Sequence, residues 1–321
     1  MTTEKIRVFE AFAGYGGASF GLKRSGLNYE VVGLSEFDKF ASQLLKKNFP
    51  NIHNWGDITT INPDELPDFD MFTGGFPCQP FSSAGLQLGE QDKYGRGTLF
   101  YHIARICAVK KPKYLLLENV KGLTQKKFAD FFEMIKSSLK DIGYGDIAYA
   151  VLNSKDYGIP QNRERLWIFA RLGGLPKDFN IVPPKVELKH RFGDFLDKNV
   201  AENLYLSDAQ IAHLKVKHNV ESFCVDEPLC FDVYNKKIKR DAMCITITQP
   251  EHNSLRVIEV PNNGKECVRK LSVQEQFRFM GFEDGEIDFD NQSYAQLSKR
   301  AGNGWDVNLV GILLKHIFSQ L

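Results

Sequence analysis

Three short stretches of this chain hold residue types that could do covalent chemistry. In Gly74-Gly75-Phe76-Pro77-Cys78-Gln79-Pro80-Phe81-Ser82, a cysteine stands between two prolines. Prolines stiffen a loop, and a stiff loop holds a sulfur in one place. A free thiol, with a pKa of about 8.5, must be partly thiolate before it attacks anything, and nearby amides or arginines could supply that shift. Glu118-Asn119-Val120 follows a buried apolar run. A carboxylic acid leaving a sheet beside a thiolate is an acid–base partner for an electron-poor heterocycle. In Gln161-Asn162-Arg163-Glu164-Arg165, just before another apolar run, strand alternation points Arg163 and Arg165 to one side, where they can bind a base oxygen or a phosphate. Singly, each arginine reads equally well as an ion-pair partner of Glu164 or another carboxylate.

A fourth stretch suits a nucleotide-like ligand. Phe12-Ala13-Gly14-Tyr15-Gly16-Gly17 sits where a first strand meets a first helix. Glycines there allow a tight turn and close approach of a ligand to the backbone. Glu36 follows the second strand, where an acidic residue can accept hydrogen bonds from ribose hydroxyls. Asp57 comes after the next helix and could meet an adenine amine. Separately these are ordinary surface carboxylates; together with the loop they outline an adenosine site at the carboxyl ends of parallel strands.

The elements that must position these residues alternate. Strands are predicted at 6–11, 31–35, 69–73, 114–117 and 166–170, and helices at 18–25, 39–48, 99–109 and 128–142. Such alternation implies a parallel sheet covered on both faces. After Arg171 the rhythm stops. Residues 173–268 are irregular and proline-rich, with short β-like runs at 242–248 and 255–260, and read as a second, smaller domain. A helical pattern returns at 274–280, and an amphipathic helix is predicted over 307–319.

Composition narrows the class without choosing a function. The 321 residues are 43% hydrophobic and 25% charged, as in a globular protein able to bury a core without disulfides or metals. No apolar run approaches the roughly 18 residues of a membrane span, and the first residues lack the apolar stretch of a signal peptide, so an intracellular protein is expected. None of the six cysteines (Cys78, Cys107, Cys224, Cys230, Cys244, Cys267) forms a C-x-x-C pair, and no His/Cys set has zinc spacing. The default is six free, mostly inert thiols. With 41 Lys+Arg against 40 Asp+Glu, net charge does not announce a nucleic-acid partner. Local basic clusters, at Lys236, Lys237, Lys239 and Arg240 and at Lys121, Lys126 and Lys127, also read as solvated surface.

In order and spacing these stretches resemble the DNA (cytosine-5) methyltransferases, over nearly the whole chain apart from the irregular region. The glycine stretch is similar to that family's cofactor loop, the Cys78 stretch to its nucleophile loop, Glu118-Asn119-Val120 to its acid motif and the arginine stretch to its arginine motif. Arg269-Lys270-Leu271-Ser272 with Glu275 and Gly281-Phe282 resembles its interdomain helix, and Gly302-Asn303 its last cofactor contact. The resemblance implies an α/β fold: a Rossmann-like S-adenosylmethionine-dependent methyltransferase sheet with a smaller, irregular β-rich target-recognition domain. It implies a catalytic domain at 1–172 completed by 269–321, and target recognition at 173–268. Cys78, Glu118, Arg163 and Arg165 become catalytic. Phe12, Ala13, Gly14, Gly16, Gly17, Glu36, Phe37, Asp57, Ile58, Pro77, Leu99 and Asn303 become the S-adenosylmethionine site, with S-adenosylhomocysteine the product and no metal. Gln79, Ser82, Arg163, Arg165 and Thr246 become contacts to double-stranded DNA. Unaided, Thr246 is a β-branched strand residue.

The target cytosine would be flipped out of the duplex, and the setting expected is a monomer in a bacterial cytoplasm or nucleoid, beside a restriction endonuclease for the same site. Two departures stand out. Glu10 replaces the Asp that usually precedes the first motif, and Gly304-Trp305 replaces the usual Ser-Val after Gly-Asn. Other readings are a tRNA cytosine-5 methyltransferase, a catalytically inactive DNA-binding regulator, an exocyclic-amine methyltransferase and a nicotinamide oxidoreductase. Val182-Pro183-Pro184-Lys185 does not fit the amine enzymes' motif, and an oxidoreductase leaves the cysteine loop unexplained. A tRNA enzyme would have little target-recognition region, and the intact Cys78, Glu118 and Arg165 set disfavours an inactive regulator.

Overall fold

The protein, seen as a computed structural model, is described over residues 4–77 and 99–321. Cys78, Gln79 and Ser82 therefore lie outside the described residues. The chain packs as two units: Met1–Leu152, Glu164–Pro184 and Leu309–Leu321 in one, Asn153–Arg163 and Lys185–Asn308 in the other. Packing thus groups 269–308 with 185–268, whereas the division expected from the family resemblance gives them different roles.

The first unit opens with β1 (Ile6–Ala11), α1 (Gly17–Ser25), β2 (Tyr29–Ser35), α2 (Lys39–Asn48) and β3 (Met71–Gly75). It continues through α3 (Leu99–Lys110), β4 (Tyr114–Val120), α4 (Ala129–Asp141) and β5 (Ala148–Asn153). After the two-residue β6 (Gln161–Asn162) of the second unit, β7 (Glu164–Arg171) returns to the sheet. The strand order is β2-β1-β3-β4-β7-β5. Strands β2, β1, β3 and β4 are mutually parallel. β7 runs antiparallel to β4, so the sheet is mixed and the wholly parallel expectation is corrected. An antiparallel neighbour needs no crossover helix, which is why the βα rhythm ends there. The order reverses between β1 and β3, the switch point beside which ligands bind in open α/β sheets.

β4 is buried on both faces along most of its length, as its Tyr-Leu-Leu-Leu start requires. Leu115 and Leu117 join a core with Phe9, Ile103 and Ile135 of β1, α3 and α4. Tyr114, of opposite alternation, meets Phe318 edge-on at 4.9 Å between ring centres. β5 is not among the expected strands although Ala148–Leu152 is apolar; its residues from Ala148 to Val151 are alternately half-buried and exposed.

Glu10 shapes the start of α1. It is buried, and its carboxylate accepts hydrogen bonds from the Ala18 N–H (2.8 Å), the Ser19 N–H (3.0 Å) and the Ser19 hydroxyl (2.5 Å). The first helical amides have no helical partner, and Gly16, the residue before α1, offers no side chain to cap them. Glu10 supplies the missing acceptor. Gly16 itself is required: its φ is +91°, and an added Cβ would lie 2.5 Å from the Phe49 ring.

The second unit contains α5 (Asp208–His218), β8 (Leu229–Asp232), β9 (Lys237–Lys239) and β10 (Cys244–Ile245), then β11 (Leu255–Asn262), β12 (Lys265–Arg269), α6 (Val273–Arg278) and α7 (Tyr294–Asn303). The last helix, α8 (Val307–Phe318), carries the chain back into the first unit. The region expected to be irregular holds a four-stranded antiparallel sheet, β12-β11-β8-β9. Ile211 of α5 packs on it with Phe223, Phe231, Ile258 and Val268. A short parallel pair joins β6 to β10. Both α5 and α7 start with capping boxes, Ser207 with Gln210 and Ser293 with Gln296. α5 shows only a thin apolar stripe, which hides it from periodicity.

Arg269 and Glu275 form a fully buried bidentate ion pair (2.7 Å for each hydrogen bond), with Glu259 on the remaining guanidinium edge. Glu275 also caps α6 with Ser272. Removing Glu275 would leave the buried Arg269 with Glu259 alone and two guanidinium nitrogens short of their carboxylate. Glu275→Ala is expected to lower unfolding stability by about 3–5 kcal/mol in urea titration; a loss under about 1 kcal/mol would contradict this role.

Burial pushes Glu10 up to about 7, against the lowering effects of the hydrogen bonds from Ser19 and Ala18. A raised carboxyl pKa favours the protonated fold, so its contribution is full below the unfolded value near 4.5 and is lost as pH rises through about 7. Relative to Glu10→Gln, the wild type should therefore lose about 3 kcal/mol of unfolding stability between those limits. A pH-independent difference between the two proteins would refute it.

Candidate active site

Glu118 and Arg165 meet at the carboxyl end of the sheet. Glu118 is the fifth residue of β4, and strand register sets it directly beside Gly75, the last residue of β3. On the other side Val120 pairs with Arg165 and Glu118 with Trp167, so Arg165 reaches diagonally to Glu118 on the same face. The Arg165 Nε lies 3.0 Å from Glu118 Oε1, both side chains being largely buried. Burial lowers the guanidinium from its ordinary value while the Glu118 charge opposes that shift. A carboxylate in such a place is oriented by its partner and sheltered from water.

The strand leading to Cys78 is tied to the same point. Asn119 donates through Nδ2 to the Phe76 carbonyl (2.9 Å) and accepts at Oδ1 from the Val120 N–H (2.8 Å). Gly75, Phe76 and Pro77 are thereby held beside Glu118 up to the last described residue before Cys78. Two other thiols are poor nucleophiles: burial pushes Cys107 up to about 12 and raises Cys244.

Beside β1 and β2, two of the residues expected at an adenosine site meet. Glu36 follows β2, and its carboxylate accepts from the N–H groups of Gly14 and Asp38, each at 2.8 Å. Gly14 has φ +59°, and Phe12 takes φ +53°, a conformation that a bulky residue adopts only at a cost of about 1–3 kcal/mol. Phe37 is 76% exposed, an aromatic face presented to solvent. Asp57 is exposed and caps its own turn through the Thr59 N–H (2.9 Å). Ala13, Gly16, Gly17 and Ile58 are buried, and Leu99 is half-buried against the core. Pro77 is exposed. A carboxylate fixed by loop amides, a strained Phe12 and an open aromatic ring suit an adenosine with ribose hydroxyls and a flat base.

The second unit holds the remaining candidates. Arg163 departs from the expectation that it would share a ligand-facing side with Arg165. It is 2% exposed and donates to the carbonyls of Ile247 (2.9 Å), Gly302 (3.1 Å) and Gly304 (2.7 Å). It falls between β6 and β7, so simple strand alternation does not carry through it. With Gln161, which bonds Phe279 and Ile247, it braces three backbone segments, around Ile247, Phe279 and Gly302–Gly304. Thr246 donates its hydroxyl to the Asn162 carbonyl at 2.6 Å. Asn303 is exposed at the end of α7, and Trp305 is buried beyond it. At Gly302 an added Cβ would collide with the backbone of Thr248 and Gln249.

Three residues that shape these sites have no role that sequence reasoning could give them. Asn119 reads only as part of a motif, and Glu10 only as a departure from one. Asn54 grips Glu36 by both the N–H and the carbonyl, each at 3.0 Å, and no local pattern around it announces that function.

Among the described residues, no group of three or more His, Cys, Asp or Glu is placed to hold a metal, and no helix is long and apolar enough to cross a membrane. The family model for C-5 cytosine-specific DNA methylases matches residues 6–319. Type II methyltransferase M.NgoBI of Neisseria gonorrhoeae is 35% identical over 312 residues, 95% of this chain and 90% of that protein. Type II methyltransferase M.HaeII of Haemophilus aegyptius is 35% identical over 326 residues, 99% and 94% of the two chains. Among solved structures, DNMT2 of Spodoptera frugiperda superposes with a TM-score of 0.76 at 20% identity, over 98% of this chain and 99% of that one. The fold, the match across nearly every residue and the similarity to full-length bacterial enzymes agree: the chain belongs to the C-5 cytosine-specific DNA methylase family.

Proposed function

We propose that this DNA cytosine-5 methyltransferase transfers a methyl group from S-adenosylmethionine to carbon 5 of a cytosine flipped out of a specific double-stranded DNA sequence. Cys78 is the attacking group. The observation that carries this reading is the register of β3 and β4, which sets the Arg165-paired Glu118 beside Gly75, three residues before that cysteine. In this mechanism the Cys78 thiolate adds to carbon 6 of the ring. In its carboxylic-acid form Glu118 gives a proton to ring nitrogen 3, which turns carbon 5 into a nucleophile, and takes that proton back as the ring is restored. Arg165 holds the Glu118 carboxylate and contacts the base oxygen. S-adenosylmethionine, when bound, supplies the electrophilic methyl group that carbon 5 accepts. Removal of the carbon 5 proton then restores the double bond and releases the Cys78 thiolate.

Glu36 suits the ribose hydroxyls, Asp57 the adenine amine, and Phe12 and Phe37 the adenine faces. Gly14 and its neighbours admit the rest of the cofactor, with Pro77, Leu99 and Asn303 as further contacts. Gln79, Ser82 and Thr246 are assigned to DNA. Arg163 acts from inside the second unit, bracing the backbone around Ile247 and Gly302. The setting that fits the type II relatives is a monomer in a bacterial cytoplasm, paired with a restriction endonuclease for the same site.

Transfer of labelled methyl groups to plasmid DNA and to bulk tRNA separates this function from its neighbours. Label is expected in DNA alone; label in tRNA alone would overturn the substrate assignment. Cys78→Ser should abolish transfer while DNA binding persists. Glu118→Gln should lower kcat by about 10²–10⁴, the usual worth of a positioned general acid, and unchanged turnover would remove Glu118 from the mechanism.

A further inference from the structure

The cluster Lys236, Lys237, Lys239 and Arg240 falls on a β-hairpin of the second unit, and none of the residues assigned above uses it. β8 and β9 pair with Asp232 opposite Lys237 and Phe231 opposite Ile238. Phe231 and Ile238 turn toward the small core under α5, so Lys237 and Lys239 stand on the other face. The connecting turn, residues 233–236, is held stiffly. Asp232 accepts from the Asn235 N–H (3.1 Å), its side-chain amide (2.7 Å) and the Ser254 hydroxyl (3.0 Å). Lys236 closes the turn in the left-handed region at φ +56°.

What this rigid turn displays is unusual. Tyr234 is 83% exposed, and Val216 at the end of α5 is 85% exposed, the two most exposed large hydrophobic residues among those described. Lys217, Lys236, Lys237 and Arg240 are all exposed and take part in no ion pair among the described residues. Lys239 differs, being paired with Asp241 at 3.0 Å. The end of α5 and the turn share a neighbourhood. His218 packs edge-on against Phe231 at 5.6 Å, and its pKa is lowered by burial and then by the charges of Lys217, Lys236 and His213. A buried imidazole thus sits among the charges of Lys217, Lys236 and His213, while Asp232, opposite Lys237, spends its carboxylate on Asn235 and Ser254. The charge of Lys217 is accounted for by the negative end of its helix. The turn lysines have no such reason.

We propose that the β8–β9 turn and the end of α5 anchor the sugar–phosphate backbone of duplex DNA, with Lys217, Lys236 and Lys237 on phosphates and Tyr234 against the groove edge. This rests on the DNA methyltransferase reading and adds a division of labour: the hairpin positions the duplex and does not read bases. Exposed lysines in no ion pair, on and beside a stiff turn, suit a regular row of negative charge, and phosphate contacts fix register without carrying sequence information. A lone exposed tyrosine on a rigid support gives contact area at low entropic cost.

Anisotropy titrations of full-length protein on two short duplexes of unrelated sequence, across a range of salt, test the assignment. For K217A/K236A/K237A, affinity should fall equally on both duplexes, and the slope of log K against log salt should flatten by about 0.9 for each phosphate no longer neutralised. K236R/K237R should bind both duplexes with wild-type affinity and slope. Y234A should weaken binding without changing the slope. S-adenosylmethionine binding, read calorimetrically, should be unchanged in all variants, which separates the effect from misfolding. Wild-type affinity and slope in the triple variant would overturn the inference, and a weakening confined to one duplex would overturn it in favour of base reading. If the wild-type protein itself neither binds duplex nor methylates plasmid DNA, the functional assignment beneath it fails instead.

Discussion

The contact between Glu118 and Arg165 sets the terms for the rest of the first unit. A carboxylate this far from water is tolerable only with a cation beside it, because the desolvation of an unpaired charge would cost several kcal/mol. That requirement dictates an antiparallel β7 next to β4, since the reversed strand delivers Arg165 to the end of β4 from the opposite chain direction. It also dictates a β4 buried on both faces, which holds the carboxylate at a fixed height above the sheet. The reach of Asn119 to the Phe76 carbonyl then ties the exit of β3 to the same strand end. Acid, cation and the approach to Cys78 are three consequences of one register.

The crevice beside β1 follows the same logic with different means. A strand order that reverses between β1 and β3 opens a crevice, and the loops around it are braced by carboxylates rather than filled by side chains. Glu10 closes the exposed amides of α1, and Glu36 ties Gly14 to the end of β2. Asn54 in turn fixes Glu36. Each of these contacts satisfies a backbone group that an open crevice would otherwise leave without a partner. The site is preorganised because the fold has no other way to satisfy those groups.

Much of this is legible in the amino-acid order. The first four strands and helices follow from apolar runs and helical spacing, some of them ended by glycines, and α2 and β1 coincide with the predicted bounds. Glu118 and Arg165 are legible as candidates because they stand at strand ends beside apolar runs, and the structure brings them into contact. The antiparallel direction of β7 is invisible, since its apolar run Leu166–Ala170 reads the same in either direction. Arg163 misleads for a related reason: alternation assumes one continuous strand, and the chain breaks between β6 and β7. The four-stranded sheet of the second unit is hidden because two of its strands have only three or four residues, too short to show a period. Asn54 and Asn119 act through the backbone of distant residues, and no local pattern encodes such contacts.

The central claim is that Cys78 attacks the cytosine ring beside the Glu118–Arg165 pair. Incubation with S-adenosylmethionine and plasmid DNA containing 5-fluorocytosine tests it most directly, because fluorine in place of the carbon 5 proton blocks release of the sulfur. A denaturation-resistant protein–DNA adduct linked through Cys78 on peptide mapping is the predicted result. Normal methyl transfer to ordinary DNA without any such adduct, or an adduct at another cysteine, would contradict it.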